Sequence, residues 1–119
     1  MLRNDFYTCH DIAYSDGEIN CRIDFNADHA IFKGHFPDHP VVPGVCMMEI
    51  VKELLQDHLK KALMLSHADN VKFLQLIIPG VQPSVKLSWK EKEGTYHLNA
   101  IFKTESAVHF KLAGVYVKM

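Results

Sequence analysis

Long apolar runs are absent from this sequence: no stretch approaches the ~20 residues that a membrane-spanning helix needs. A surplus of one charge is absent as well. Thirteen Lys and Arg stand against fourteen Asp and Glu, for a net charge of -1, which leaves no broad basic field for nucleic acid. Cysteine is scarce. Cys9, Cys21 and Cys46 are odd in number and lack metal-site spacing, so they read as reduced thiols in a cytoplasmic setting. The opening residues, Met1-Leu2-Arg3-Asn4-Asp5, are polar and hold no signal-peptide core. Repeats, low-complexity tracts and linkers are missing too. What is present is 119 residues, 48% hydrophobic and 23% charged, which suits one globular domain over 1–119 with a sizeable core. Eight histidines make the net charge climb as pH falls through about 6.5.

Hydrophobic spacing predicts a hairpin first. Phe6 to Ala13 reads as a short strand, and Ser15-Asp16-Gly17 as a turn. Ile19, Cys21, Ile23 and Phe25 then alternate with Asn20, Arg22, Asp24 and Asn26, a strand with one buried face. A helix is predicted from Pro43 to about His58, with Leu65 as its outer limit. Met47, Met48, Val51, Leu54, Leu55, Leu59 and Ala62 fall on one side of it, with His58 among them. Glu49, Lys52, Glu53, Gln56, Asp57 and Lys60 fall on the other. Ser66 to Asn70 reads as a polar break. Four strands are predicted after it: Val71–Ile78, Ser84–Lys92, a third bearing Tyr96, Leu98, Ala100 and Phe102, and Val108–Val117. Glu93-Gly94 marks a hairpin turn between the second and third. Hairpin, helix and antiparallel meander make an α+β fold.

The least ordinary stretch is 34–49. Pro37, Pro40 and Pro43 recur at every third position. Each fixes its own φ and pushes the preceding residue, Phe36, His39 or Val42, into an extended conformation. The loop is thus a stiff arm. Pro43 reads as the first helical residue, where a missing N–H costs nothing. The Gly44, Val45 and Cys46 amides then follow as donors at the positive end of the helix. Gly44 has no side chain to block close approach, so a carbonyl oxygen or an anion can be held there. His35 stands at the far end of the arm and Glu49 in the second helical turn: an acid/base pair flanking an electrophile-polarising site.

This pattern, His35-Phe36-Pro37, Pro40, Pro43-Gly44-Val45 and Glu49 fourteen residues after the histidine, resembles the signature of the 3-hydroxyacyl-acyl carrier protein dehydratases. The resemblance runs over nearly the whole chain. It implies a hotdog fold, with one long central helix wrapped by a curled antiparallel sheet of about 5–6 strands. It implies a hydro-lyase that turns a (3R)-hydroxyacyl thioester, on acyl carrier protein or coenzyme A, into the trans-2-enoyl thioester. His35 would be the catalytic base, Glu49 the catalytic carboxylate and Gly44 the carbonyl-binding amide, with Val45, Phe36 and Pro43 beside the substrate. No metal or organic cofactor is implied, and no nucleic-acid or membrane partner. The implied assembly is a homodimer with two shared sites, with a trimer of dimers as a further step. The residues fit these roles. A neutral imidazole is a base near pH 7, and one oxyanion donor typically lowers a barrier by about 3 kcal/mol. A carboxyl group in an apolar tunnel suits an acid. An extended arm advances about 3 Å per residue. His35 is therefore carried away from its own helix, and a two-fold dimer brings it toward the Glu49 of the other subunit.

Plainer readings accompany each residue. His35 alone is a loop histidine, and Glu49 alone is a solvated carboxylate beside Lys52. His35, Asp38 and His39 have the look of metal ligands but share no helical face. Cys46 is a packed thiol more readily than a nucleophile. Met47 and Met48 suit core or acyl-channel lining. Lys72-Phe73 matches a Lys/Arg-Phe element of the family. Lys33, Lys72 and Lys103 suit an acidic carrier protein, or are ordinary surface lysines. Two departures stand out. Glu49-Ile50-Val51-Lys52-Glu53 replaces the usual Glu-x-x-Ala-Gln, and Pro79-Gly80-Val81 replaces Pro-Gly-Asp. They point away from housekeeping fatty-acid synthesis toward a specialised unsaturated or polyene lipid. A hotdog thioesterase and a non-catalytic acyl-carrier-binding homologue stay open as alternatives.

Overall fold

The computed structural model describes residues 2–34 and 38–119. The elements run β1 (Tyr7–Ser15), β2 (Glu18–Phe25), α1 (Ala30–Gly34), α2 (Gly44–Leu59), β3 (Leu63–Phe73), β4 (Ser84–Lys92), β5 (Thr95–Lys103) and β6 (Val108–Lys118). The six strands form one curled antiparallel sheet in the order β1-β2-β4-β5-β6-β3. This is the α+β architecture expected from the spacing.

Period-2 alternation delivers the inner face as predicted. Ile19, Cys21, Ile23 and Phe25 of β2, Val85 and Leu87 of β4, and Tyr96, Leu98, Ala100 and Phe102 of β5 are all buried. Each fully buried side chain of this size contributes about 1.5–3 kcal/mol. The Glu93-Gly94 turn takes positive φ at both residues, 50° and 79°, as the tight β4–β5 hairpin requires. The inner side of α2 (Cys46, Met47, Ile50, Val51, Leu54 and Leu55) closes on this face to make one core.

Several expectations need correction. Pro43 is not the first helical residue. It caps the helix in an extended conformation, φ -63° and ψ 145°, and the helix begins at Gly44. The helix does not approach Leu65. Lys60 turns left-handed at φ 57°, its N–H donating to Gln56 O at 2.8 Å. The Gln56 side chain then accepts from Leu63 N at 2.8 Å, tying the helix end to the start of β3.

The stretch 66–70 is not a break but the middle of β3. It is polar because β3 is an edge strand with little of its length covered, and its register with β6 slips twice, between Leu65 and His67 and between Ala68 and Asn70. Polar residues and irregular register are how an edge strand discourages unwanted pairing. By contrast, 74–78 leaves the sheet. The Leu74 and Gln75 amides donate to His109 O at 2.9 and 3.3 Å, and Val42 N donates to Ile77 O at 2.8 Å, so the segment passes beside the start of α2. Because β3 pairs with β6 rather than β4, the meander comprises β4, β5 and β6 alone.

Finally, Glu53 is not on a solvated face. It is 1% exposed. Its carboxylate accepts from Leu2 N at 2.8 Å, Arg3 N at 2.9 Å and the Tyr7 hydroxyl at 3.1 Å. Arg3 also pairs with Asp57 at 2.7 Å. The N-terminal segment is thereby laid along α2. No helix among the described residues is long and apolar enough to cross a membrane.

Candidate active site

The start of α2 follows from Pro43, whose extended backbone leads the chain from buried Val42 into the helix. The first free N–H groups of a helix carry its positive end. Cys46 and Met47 amides donate back to Pro43 O at 3.0 and 3.3 Å, so Cys46 is not among the open donors. Among the described residues, the Gly44 and Val45 amides donate to no backbone carbonyl. They are the pair that can receive an oxygen.

The Phe73 ring lies over Gly44. A methyl group added there would come within 2.6 Å of Phe73 Cε1 and 2.9 Å of Cζ. The aromatic ring and the missing side chain are therefore complementary. Phe73 leans on Phe110, with ring centroids 5.1 Å apart, yet stays 55% exposed. Val42, Gly44, Val45, Met47, Phe73, Leu74, Gln75 and Leu76 enclose an apolar cleft of about 500 Å³ at this end of the helix.

Glu49 lies one turn further along. It shares a second cavity, of about 240 Å³, with Val45, Met48, Lys52, Leu65 and Tyr116. Val45 borders both spaces, so the oxygen-binding amides and the Glu49 carboxyl are neighbours around one exposed residue. Lys52 Nζ is 3.9 Å from Glu49 Oε1. Burial first, and then Glu49, push the Tyr116 phenol up to about 12. Burial and then Glu49 also raise the Cys46 thiol. A raised, buried thiol is a packing group, which disfavours Cys46 as a nucleophile.

The structure thus brings Gly44, Val45 and Glu49 together, with Pro43 directing the helix that carries them. His35 and Phe36 lie outside the described residues. His39 and Asp38 are exposed. Sequence reasoning missed Tyr116, which sits in β6 as one more inward residue of an alternating strand. Nothing local marks it, because only the β3–β6 pairing, with Leu65 opposite Tyr116, brings it to Glu49. It also missed Leu74 and Leu76 as cleft wall, reading them as sheet, whereas Phe73, which lines the cleft too, is the last residue of β3. A separate depression of about 380 Å³ on the outer face of β2 and β4, lined by Asp11, Arg22, Lys86 and Lys103, is far more polar and includes no residue of the helix.

Comparison with known proteins bears on the family and the fold. The ApeI-like family model, described as ApeI dehydratase, matches residues 11–111. The chain is 33% identical over 106 residues to a 3-hydroxyacyl-[acyl-carrier-protein] dehydratase FabZ of Streptococcus suis, covering 83% of this chain and 74% of that one. The corresponding protein of Streptococcus mutans is 29% identical over the same shares. Among solved structures, the dehydratase heterocomplex ApeI:P from Xenorhabdus doucetiae superposes with a TM-score of 0.79 at 20% identity, over 94% of this chain and 98% of that one. A putative thioesterase from Shewanella oneidensis matches more loosely, with a TM-score of 0.58 at 15% identity over 95% and 83%. The chain has the hotdog fold and belongs to the ApeI-like family of dehydratases, related to the 3-hydroxyacyl-acyl carrier protein dehydratases.

Proposed function

We propose that the protein dehydrates a (3R)-hydroxyacyl thioester, carried on acyl carrier protein or coenzyme A, to the trans-2-enoyl thioester. The observation that carries the reading is an adjacency: two amides at a helix start that have no backbone acceptor among the described residues, an apolar cleft beside them, and a carboxyl one turn away across Val45. The thioester oxygen sits on the Gly44 and Val45 amides, which stabilise the charge that develops there. His35 takes the proton from C2. Glu49 delivers a proton to the departing C3 oxygen. The acyl chain lies in the apolar cleft beside the helix start that Pro43 caps.

The site is shared between two subunits. Glu49 is 37% exposed in the single chain, and Val45, Phe73, Leu74, Leu76 and Ile78 together expose a broad apolar surface around the cleft. A patch of that kind calls for a covering partner. A homodimer supplies it and places His35 of one subunit at Glu49 of the other. That the ApeI neighbour was solved within a heterocomplex fits a site made by two chains. The protein acts without metal or organic cofactor, as a single-domain subunit of a lipid-synthesis pathway in the cytoplasm.

The test is product analysis. Incubated with 3-hydroxyacyl thioesters on acyl carrier protein and on coenzyme A, the protein should generate enoyl absorbance and a product lighter by one water. Release of free carrier thiol instead would mean hydrolysis, and no change with either carrier would mean a binding protein.

A further inference from the structure

Three tyrosines are buried to about 1% exposure: Tyr7, Tyr96 and Tyr116. A buried phenol ordinarily finds a hydrogen-bond partner. Tyr7 donates to Glu53 at 3.1 Å. The Tyr96 oxygen accepts from Lys61 Nζ at 2.7 Å. Among the described residues, the Tyr116 hydroxyl has no such partner. It is not sealed in either, since no buried side-chain oxygen or nitrogen is left unsatisfied. Tyr116 lines the cavity of about 240 Å³ that holds Glu49, close enough to that carboxyl for Glu49 to act on its phenol. The other walls there are apolar (Val45, Met48 and Leu65), with the Lys52 ammonium at the rim beside Glu49. A buried phenol that lines a mostly apolar cavity beside an acid is placed to meet a ligand oxygen.

We infer that Tyr116 is a further catalytic residue, whose hydroxyl donates a hydrogen bond to the C3 oxygen of the substrate as that oxygen departs. The inference rests on the dehydratase reading above. In the step, the C2 proton passes to the His35 imidazole, and the C–H electron pair becomes the C2=C3 π bond. The C3–O bond breaks with its pair on oxygen. That oxygen takes a proton from the Glu49 carboxyl and leaves as water. Tyr116 keeps its own proton throughout, in keeping with its raised pKa of about 12, and holds the oxygen in line with Glu49. In the reverse, hydrating direction it orients the attacking water.

Tyr116→Phe removes one oxygen and nothing else from the packed core. We expect kcat for 3-hydroxyacyl dehydration and for enoyl hydration to fall about ten- to a hundredfold, the range of a positioned hydrogen bond to the reacting group. The matched control is Tyr96→Phe, which loses the bond to Lys61 outside the cavity and should keep kcat within about threefold. A binding comparison separates recognition from fold. The wild type should prefer a 3-hydroxyacyl thioester to the saturated acyl thioester, and Tyr116→Phe should lose that preference while binding the saturated one unchanged. Unaltered kcat and unaltered preference in Tyr116→Phe, with Glu49→Gln inactive, would overturn the inference and leave the dehydratase reading standing. A wild type that neither dehydrates nor hydrates would overturn both.

Discussion

At Glu53 a neutral amide has become a carboxylate, and the carboxylate has three donors waiting for it: the Leu2 and Arg3 amides and the Tyr7 hydroxyl. Removing it by Glu53→Ala orphans these groups in a buried place. We expect a loss of about 2–3 kcal/mol in urea unfolding, and a smaller loss for Glu53→Gln, which keeps one acceptor oxygen. Helical spacing put Glu53 on the outer arc with Lys52 and Lys60. Spacing reports an angle around a helix and says nothing of what lies over that angle; here residues 2–7 lie over it. At Gly44 the relevant contact is also remote in sequence. A Gly44→Ala methyl would press on Phe73 Cε1 at 2.6 Å. The ring is half exposed and can swing aside, so stability should change by less than about 1 kcal/mol. Turnover should drop tenfold or more, because the displaced ring enters the cleft and the methyl crowds the oxygen site.

Strands with one covered face were readable from alternation alone: β2, β4, β5 and β6 fall within a residue or two of where the pattern puts them. The helix was readable too, since Pro43 fixes its start. What escaped was the edge. β3 has little buried surface to impose a period on its sequence, so its polar middle reads as a gap and its apolar exit, 74–78, reads as strand. That exit has consequences for assembly. Leu76 is 74% exposed in the single chain and borders the cleft. Leu76→Asp should leave the unfolding of the chain itself within about 0.5 kcal/mol. In the proposed homodimer it should nonetheless shift sedimentation from dimer to monomer, and lower activity in proportion.

For the molecule as a whole, the buried phenols set an alkaline limit. The Tyr116 phenol is raised from its ordinary 10.0 to about 12, and burial with Glu53 nearby raises Tyr7 as well. A raised folded-state pKa adds stability that is fully present below about pH 10 and is lost as pH rises through about 12. Each pKa unit corresponds to about 1.4 kcal/mol, so urea midpoints should fall steeply between about pH 9 and about pH 12, and less steeply in Tyr116→Phe.

Half of the candidate site was legible in the sequence, because Gly44, Val45 and Glu49 sit on one helix whose start is marked by prolines. Tyr116 was not, since long-range strand pairing alone brings it there. His35 belongs to the part of the chain outside the described residues, and its place at a partner's Glu49 is the claim on which the proposed chemistry turns. Subunit mixing tests that claim most directly. His35→Ala and Glu49→Gln, each inactive alone, are refolded together with different tags, and enoyl-thioester formation is followed. Activity should recover to about a quarter of the wild-type level, because half of the dimers formed are mixed and each mixed dimer keeps one intact site. Mixed dimers that form yet stay inactive, beside an active wild type, would contradict it.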